Sequence, residues 1–467
     1  MQEQTIFDLL YPKYKITKPI RLIEFFAGYG SQALALKYLG VEFEHWKICE
    51  WAIKSIQAYN DLHFGDYNDY SETIDIDEIK KFLLKKGISS NYNEPMTKQQ
   101  IERMSEPYAR KVINNIVATR NLVNIQQVKG KDLEIVDKDK YDYILTYSFP
   151  CQDLSLAGKG KGMSDTSTRS GMLWEVERIL TECSESDSLP QILLMENVPQ
   201  VHGAENIEDF KKWIMRLEEL GYSNYWQDLI ATDYGIPQTR NRCFMISILG
   251  EYSYQFPPKK ELKLKLKDLL EDNVDEKYYL SDKMVKYISA DNDKWTGNNE
   301  EALINKTYAS TLNTREGMHR CDSSNYISED VGENYNLKPK KTGNLYEDSL
   351  QRYLCNKLIE DGLVEEGDVV KHSYTQQILD GNKKCVEKND GNMIILTTRG
   401  DCIGTAINDN GNLRIRKLTP KECFRLMGVK DKDFKKIAKN QSDNSLYHLA
   451  GDSIVCDVLQ AIFKELL

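Results

Sequence analysis

A cysteine in a turn directly after an apolar stretch is the first candidate for chemistry in this sequence. Cys151 lies in the segment SFPCQDLS, residues 148–155, which follows the apolar run YDYILTY. The thiolate is the nucleophilic form of cysteine, and a cysteine beside proline in an exposed turn can supply one. The alternative is a buried, inert thiol, which is the commoner role of a cysteine. The next residues, LAGKGKGMSDTSTRSGMLW, are rich in glycine and lysine, which is typical of a loop that closes over a polyanion.

A glycine-containing turn near the start of the chain is the second candidate. Residues 25–31 read FFAGYGS, between an apolar run and a stretch with helical spacing. Small residues there let a ligand approach the backbone, and the amides at a helix N-terminus point outward. The turn is not GxGxxG, so it favours a nucleoside with a carboxylate or amine tail over a dinucleotide. A tight structural turn is the alternative.

An acidic residue and a tryptophan end the next apolar segment, FEHWKICEW. Glu50 stands where doubly wound folds place a carboxylate on ribose hydroxyls, and Trp51 could stack on an adenine ring. Taken singly, they could equally be a surface charge and a core aromatic. Together with the glycine turn, they indicate a cofactor that carries adenosine.

Five motifs follow one another along the chain: PCQ (150–152) with GKGKG (158–162), MENV (195–198), QTRNR (238–242), RKLTPKE (416–422) and AGDSIV (450–455). This ordered set resembles the cytosine-C5 DNA methyltransferases of bacteria and phages. The resemblance covers 21–60, 130–250 and 414–467. One departure is Asp452, where the family usually has asparagine, because aspartate keeps an acceptor and loses the amide donor.

The resemblance implies a mechanism for two of these residues. Cys151 would attack C6 of cytosine, and Glu196 would act as an acid at N3. C5 would then take the methyl group of S-adenosylmethionine, and loss of the C5 proton would release the cysteine.

Three more residues, Arg240, Arg242 and Asn197, receive supporting roles from the same resemblance. Arg240 and Arg242 would hydrogen-bond the cytosine O2 and a phosphate or carboxylate. An exposed pair at a strand edge is their alternative reading. Asn197 is expected to orient the turn and Pro150 rather than to react.

Positions that contact the cofactor in the family are also matched. Glu50 would bind the ribose, Asp132 would accept a hydrogen bond from the adenine amino group, and Ser453 would close the pocket. The full set of expected cofactor residues is Phe25, Ala27, Gly28, Gly30, Glu50, Trp51, Asp132, Leu133, Pro150, Leu173, Asp452 and Ser453.

Double-stranded DNA is the expected partner. A base inside a duplex cannot present C6 to a thiolate, so the cytosine must be flipped out. The expected DNA contacts are Gln152, Ser155, Lys159, Lys161 and Gln238. The region 251–445 is expected to read the sequence through basic and polar loops.

Rival functions differ in the motifs they need. An RNA cytosine methyltransferase on the same scaffold would keep every motif, and only the long recognition region favours DNA. Amino-group methyltransferases need an Asn/Asp/Ser-Pro-Pro-aromatic motif, whereas the only Pro-Pro here is in FPPKK. A DNA-binding regulator without activity would be expected to lack Cys151 or Glu196, and a nicotinamide dehydrogenase would carry GxGxxG.

The elements that must position these residues alternate between strand and helix. RLIEFF, FEHWKIC, YDYILTY, QILLMEN and RCFMISIL read as strands, while SQALALKYL and WAIKSIQAY read as helices. This predicts an α/β fold with a doubly wound, Rossmann-like sheet and a second, smaller, loop-rich target-recognition domain. The expected domains are 1–250 with a helical insertion at about 61–129, then 251–445, and a segment 446–467 that returns to the first domain.

Composition sets the remaining limits. The 467 residues are 40% hydrophobic and 29% charged, with ten cysteines in no CxxC pair, which argues against a disulfide framework and against a zinc site. No apolar run approaches the ~18–20 residues of a membrane span. The N-terminal residues lack the order of a signal peptide, so a cytoplasmic protein is expected. The absence of regulatory or chromatin-type modules favours a bacterial or phage setting. The net charge of −10 neither favours nor excludes a DNA enzyme, which needs only a local basic cleft. A monomer is expected, and a cognate restriction endonuclease encoded elsewhere is possible.

Overall fold

The computed structural model describes residues 11–150, 171–281, 306–314, 325–330, 369–371, 393–395 and 413–467. The chain divides into two compact units. The first unit is Met1–Leu264 with Cys423–Leu467, and the second unit is Lys265–Glu422. The sequence predicted divisions after 250 and after 445. In the structure, the residues just after 422 belong to the first unit because their aromatic and acidic side chains pack there, as Phe424 does on Tyr29.

A six-stranded sheet with the order β2-β1-β3-β4-β6-β5 is the centre of the first unit. The strands are β1 (Ile20–Phe25), β2 (Phe43–Cys49), β3 (Asp142–Tyr147), β4 (Ile192–Asn197), β5 (Tyr222–Ile230) and β6 (Asn241–Leu249). Every residue of β1, β3 and β4 is buried. Such strands are covered on both faces, which accounts for their continuous apolar runs.

Helices surround this sheet and complete the first unit. They are α1 (Ser31–Leu39), α2 (Ile53–Tyr59), α3 (Ile76–Lys86), α4 (Lys98–Glu102), α5 (Glu106–Ala118), α6 (Met172–Glu185), α7 (Ile207–Glu219), α8 (Pro420–Arg425), α9 (Asp431–Ala438), α10 (Asp443–Gly451) and α11 (Cys456–Leu466). Of these, α8 begins in the second unit and ends in the first. The C-terminal helix α11 packs on α1. The predicted α/β, Rossmann-like class is confirmed.

Strand direction brings the candidate residues to one edge of the sheet. Strands β1 to β4 run parallel, and their registers pair Phe25 with Cys49 and with Tyr147, and Tyr147 with Met195. Strand β6 runs antiparallel to β4. Its amino end, at Asn241, therefore lies at the edge where the parallel strands have their carboxyl ends. The alternation seen in the sequence predicts parallel neighbours and does not show this reversal.

The edge strand β5 has no counterpart among the predicted strands. Its sequence, YSNYWQDLI, carries polar residues throughout, and most of its residues are half-buried or exposed. It pairs antiparallel with β6 alone. An outer strand needs little apolar surface, so hydrophobicity is a weak signal for it.

The segment 61–129, expected to be a helical insertion, contains α3, α4 and α5. Their apolar faces form a cluster of their own with α2; its members include Ile53, Ile56, Ile79, Leu83, Ile88, Val112 and Ile116. The segment is therefore a small packed layer joined to the sheet through the helix that follows β2.

Two short antiparallel pairs lie in the described part of the second unit: β7 (Tyr326–Asp330) with β10 (Leu413–Lys417), and β8 (Val369–Lys371) with β9 (Met393–Ile395). The RKLTPKE motif follows from β10 and is held by a fully buried ion pair. Arg416 donates to both carboxylate oxygens of Glu422 at 2.8 and 2.9 Å, and the Thr419 amide donates to the same carboxylate at 2.7 Å. These contacts give the motif a structural role.

Cys49, Cys183, Cys243, Cys423 and Cys456, the cysteines of the described ranges, are all buried, and no disulfide joins any two of them. No helix within those ranges is both long and apolar enough to cross a membrane.

Candidate active site

The turn after β1 holds three residues in the left-handed region of backbone space. Phe26, Gly28 and Gly30 have φ angles of 56°, 56° and 84°. The Phe26 amide donates to the Cys49 carbonyl at 2.8 Å, which ties the turn to the end of β2. A non-glycine residue with positive φ is strained, and such strain gathers at functional sites.

The two glycines of the turn face different surroundings. A Cβ on Gly28 would have no atom of the described residues within 4 Å, whereas one on Gly30 would lie 2.5 Å from His63 Nε2 and 2.6 Å from Tyr59 Cε2. Gly28 therefore borders open space in which a ligand could approach the backbone. Gly30 is required by packing, and only its backbone could face a cofactor.

The carboxylate of Glu50 lies beside this turn. It accepts a hydrogen bond from the Gly28 amide at 3.0 Å and another from the Ala52 amide at 2.7 Å. Burial raises the pKa of Glu50 to about 7, the two amides oppose this shift, and the charge of Asp452 adds to it. Asn121 holds the Glu50 backbone, since it accepts from the Glu50 amide at 3.0 Å and donates to the Glu50 carbonyl at 2.9 Å.

Other residues expected to contact the cofactor fall into two groups. Trp51 and Asp132 are half-buried, and Asp132 also accepts from the Lys129 amide at 2.9 Å. Phe25, Leu133 and Leu173 have no exposed surface at all. A side chain without accessible surface does not line an open cavity. All three side chains pack in the hydrophobic core of the first unit, and their contact with the cofactor stays a prediction.

The ends of β3 and β4 form the second half of the site. Asn197 donates through Nδ2 to the carbonyl of Phe149 at 3.0 Å and accepts through Oδ1 from the Val198 amide at 2.8 Å. Since the Phe149 carbonyl belongs to the peptide bond that leads into Pro150, this buried amide holds the backbone at the start of the PCQ motif.

Glu196 precedes Asn197 and is also buried. Its carboxylate lies 3.2 Å from Nε of Arg242, at the amino end of β6. Burial raises the pKa of Glu196, while the charges of Arg242 and Arg240 and a hydrogen bond to Ser148 oppose this rise. The antiparallel course of β6 is what brings a cation to this carboxylate.

The loop between α10 and α11 closes the site from the C-terminal side. Arg240 donates to the carbonyls of Gly451 at 3.1 Å and Ser453 at 2.8 Å. The Ser453 hydroxyl accepts from Tyr29 at 3.1 Å. Buried contacts therefore join the first strand turn, β6 and the C-terminal loop. In the structure Arg240 acts as a link to that loop.

Asp452 stands in the sequence between Gly451 and Ser453. Its side chain is accessible to solvent, yet the surrounding protein is dense enough to shift its pKa. Burial raises its pKa to about 6, and Arg240 and Arg242 oppose the shift. Accessibility together with dense surroundings describes a side chain that lines a concavity. Its charge acts on both Glu50 and Glu196, so Asp452 lies between the two halves of the site.

Comparison with known proteins decides the family of this chain. The profile of the family described as C-5 cytosine-specific DNA methylase matches residues 105–467. The chain belongs to that family.

Individual relatives agree with this assignment. The chain is 30% identical over 455 residues to the type II methyltransferase M2.ScrFI of Lactococcus lactis subsp. cremoris, covering 96% of this chain and 99% of the relative. It is 36% identical over 296 residues to the orphan methyltransferase M.SssI of Spiroplasma monobiae, covering 62% and 74%. Among solved structures, the Entamoeba histolytica methyltransferase EhMeth has the same fold, with a TM-score of 0.54 at 15% identity over 96% of this chain and 98% of that chain.

As a cytosine-C5 DNA methylase, the protein transfers a methyl group from S-adenosylmethionine to C5 of cytosine in DNA, and a cysteine nucleophile is general to the family. The glycine turn, Glu50 and Asp452 form the cofactor half of the site, and these residues fit S-adenosylmethionine. Open space at Gly28, a fixed carboxylate at Glu50 and the accessible Asp452 together offer acceptors for hydroxyl and amino groups.

Of the DNA contacts expected from this methylase's sequence, Gln238 lies in the described residues and the others do not. Gln238 is fully buried, and its amide donates to the Leu426 carbonyl at 2.8 Å. The Gln238 amide is thus used inside the first unit, and its contact with DNA stays a prediction. Five of the predicted residues lie outside the described ranges: Cys151, Gln152, Ser155, Lys159 and Lys161.

Residues that the sequence did not point to also shape the site. Asn121 has no motif around it, and its contact with Glu50 spans 71 positions. Tyr29 lies inside the glycine motif, and its hydroxyl reaches Ser453. Of these two residues, only Tyr29 could have been found from the sequence, because a tyrosine stands out among the small residues of the motif.

One group of metal-ligand type occurs among the described residues of this methylase. His202, Asp228 and Cys243 bring ligand atoms within 4.8 Å of one another. Asp228 and Cys243 are register partners on β5 and β6, and His202 Nε2 lies 2.9 Å from the Asp228 carboxylate. This hydrogen bond accounts for the grouping, and no metal is assigned to it.

Proposed function

We propose that this protein methylates cytosine within a specific double-stranded DNA sequence, with Cys151 as the nucleophile and Glu196 as the acid at N3. One observation carries the assignment. Asn197 donates to the carbonyl before Pro150 at 3.0 Å, while the adjacent Glu196 lies 3.2 Å from Arg242. The strand end that holds the acid also holds the backbone leading to the cysteine.

The proposed nucleophile acts on a base that has left the duplex. The Cys151 thiolate forms a bond to C6, and electron density moves toward C5 and N3. Glu196 supplies or shares the proton at N3, so charge does not build up on the ring. When bound, S-adenosylmethionine supplies the methyl group that C5 receives. The C5 proton then leaves to a base, the S–C6 bond breaks, and the thiolate is restored.

The buried position of Glu196 supports its role as an acid. Burial raises the pKa of this carboxyl, so a proton on it is retained at higher pH than in water. Arg242 limits the shift and would hold the ionised form after the proton moves to the base. Arg240, bound to the C-terminal loop, is proposed to position that loop and to supply positive potential at the base.

For the cofactor, we propose a site bordered by Gly28, Glu50, Trp51, Asp452 and Ser453. Glu50 would accept from ribose hydroxyls, because the Gly28 and Ala52 amides fix the position of its two carboxylate oxygens. Asp132, half-buried in the 130–133 turn, would accept from the adenine amino group. The accessible surfaces of Trp51 and Asp452 support this location.

Recognition and setting complete the proposal. The second unit would read bases, and Gln152, Ser155, Lys159 and Lys161 would contact the flipped-out cytosine's strand or the gap it leaves. Type II and orphan methyltransferases of bacteria are among the relatives. On this basis, we propose a monomer in a bacterial cytoplasm, with or without a cognate endonuclease.

Base-resolution sequencing of 5-methylcytosine tests the assignment. The wild-type chain and Cys151→Ser would be expressed in a bacterial host that lacks DNA methylation, with purified protein checked for cofactor binding by calorimetry. We expect marks at one short motif with the wild type and none with Cys151→Ser, although the variant still binds cofactor. Marks in the Cys151→Ser culture would refute Cys151 as the nucleophile. Unmarked DNA from a folded, cofactor-binding wild type would refute the DNA specificity.

A further inference from the structure

The loop 88–96, between α3 and α4, is fastened to the residues that follow Glu50. The Ser89 amide donates to the Trp51 carbonyl at 2.8 Å, and the Ile53 amide donates to the Ser89 carbonyl at 2.9 Å. A hydrogen bond of 2.8 Å from the Met96 amide to the Ile88 carbonyl closes the base of the loop. The inserted segment is thus joined to the Glu50 border of the cofactor site.

Tyr92 lies within this loop and reaches the opposite border. Its ring stacks on the imidazole of His448 in α10, with ring centroids 3.6 Å apart and an angle of 13° between the planes. Its hydroxyl lies 3.5 Å from Ser445 Oγ in the same helix. Helix α10 ends at Gly451, directly before Asp452. One side chain therefore connects the two borders of the site.

The backbone of Tyr92 is strained in this position. Its φ of 65° is left-handed, a conformation that non-glycine residues adopt only at an energetic cost. Such a conformation persists only where the surroundings enforce it. The stack on His448 and the closed base of the loop are what enforce it here.

Both rings of the stack are uncharged, and Tyr92 lies near the carboxylates of Glu50 and Asp452. Burial raises the pKa of Tyr92 to about 12, and the charges of Glu50 and Asp452 contribute to the rise. Burial also lowers the pKa of His448 to about 4. Within the described residues, His448 Nδ1 is buried without a hydrogen-bond partner. The imidazole is thus used as a flat apolar surface rather than as a charge.

We propose that Tyr92 is a positioning residue for S-adenosylmethionine. By stacking on His448, it holds α10, and with it Asp452 and Ser453, at a fixed distance from Glu50, so the cofactor meets a preformed site. The inserted segment 61–129 thereby acquires a role in cofactor affinity and exchange. The inference rests on the proposed location of the cofactor beside Glu50.

Calorimetric binding of S-adenosylmethionine to the full chain tests this role. An aromatic pair of this kind is worth enough to change an affinity about three- to tenfold. We expect Tyr92→Ala to raise Kd by this factor and to speed dissociation of S-adenosylhomocysteine, with kcat at saturating cofactor changed less than about twofold. Tyr92→Phe should behave as wild type, because the ring makes the stack and the 3.5 Å hydroxyl contact is weak.

Two further variants separate positioning from general destabilisation. His448→Ala should raise Kd as Tyr92→Ala does, and the double variant should be no weaker than either single one, since both remove the same contact. Tyr108→Ala, in α5 of the same segment and 37% exposed, is the control and should leave Kd unchanged. A folded Tyr92→Ala protein with wild-type Kd, or an equal change in Tyr108→Ala, overturns the inference.

Glu50→Gln distinguishes this inference from the site assignment. If Glu50→Gln weakens binding and Tyr92→Ala does not, the cofactor site stands and the role of Tyr92 fails. If Glu50→Gln leaves binding unchanged, the proposed location of the cofactor fails first.

Discussion

Glu50 and Glu196 are two buried carboxylates at the same edge of one sheet, and their neighbours differ in kind. Glu50 is held by backbone amides of Gly28 and Ala52. Glu196 lies beside the guanidinium of Arg242. Burial raises the pKa of both. Neutral amides fix an acceptor in place, whereas a mobile proton needs a cation that can stabilise the ionised form, so the first arrangement suits binding and the second suits catalysis.

Removing the acid from the catalytic half should have the largest effect. Glu196→Gln keeps the size of the side chain but cannot exchange a proton with N3. We expect kcat to fall by about 10²–10⁴, the usual contribution of general acid catalysis, with KM for the cofactor nearly unchanged. Transfer of a labelled methyl group to DNA measures both. A matched Glu50→Gln variant should show the opposite pattern, and equal losses of kcat in the two would erase the contrast.

Replacing Arg242 should lower the stability of the protein as well as the rate of methyl transfer. In Arg242→Met, the Glu196 carboxylate would remain buried without its close partner. Breaking a buried pair from one side costs about 3–5 kcal/mol, so the free energy of unfolding should fall by a large part of that amount. Urea denaturation measures it. In the Glu196→Gln background the same change should cost much less, and equal costs in both backgrounds would show that the two side chains are not coupled.

The two glycines of the turn offer a smaller test within the cofactor half. Gly30→Ala would force a Cβ to within 2.6 Å of His63 and Tyr59, so overpacking should lower the free energy of unfolding by about 1–3 kcal/mol, in addition to the strain of its own positive φ. Gly28→Ala meets no described atom and should cost only the strain of its φ, about 1–2 kcal/mol, while weakening cofactor binding. Thermal melts and calorimetry on both variants separate packing from binding, and a Gly30→Ala protein with unchanged stability would contradict the packing role.

The pH dependence of cofactor affinity should show the smallest effect. A hydroxyl that donates to Glu50 stabilises its ionised form, so binding is favoured above the pKa of about 7 and weakened below it. Between pH 8 and pH 6 we expect affinity to fall about tenfold. Glu50→Gln should remove most of this dependence. Asp452→Asn, measured in parallel, separates the second carboxylate, whose pKa is about 6. A wild-type affinity independent of pH would place Glu50 away from the cofactor.

The same raised pKa has a consequence for the protein without cofactor. The folded pKa of Glu50 lies above the ordinary value of 4.5, so the folded state binds more protons than the unfolded state between about pH 4.5 and 7. Stability from this group therefore decreases as pH rises through that window.

Much of the site was predictable because its motifs are short and lie at strand ends. Apolar runs located β1 to β4 and β6, and therefore the positions of Glu50, Glu196 and Asn197 at one edge. The cofactor contact of Leu173 and the DNA contact of Gln238 stay predictions for a shared reason. A position in a motif does not show whether its side chain points to the ligand or into the core, and here both are fully buried.

The sequence by itself determined the family, the chemistry and the order of the elements, since these depend on residues close together along the chain. Only the tertiary structure decided the direction of β6, which brings Arg242 to Glu196. It alone also placed Asn121 on Glu50 and Tyr92 on His448. These contacts join residues tens to hundreds of positions apart, and no local pattern encodes them because they arise from how the packed layers meet.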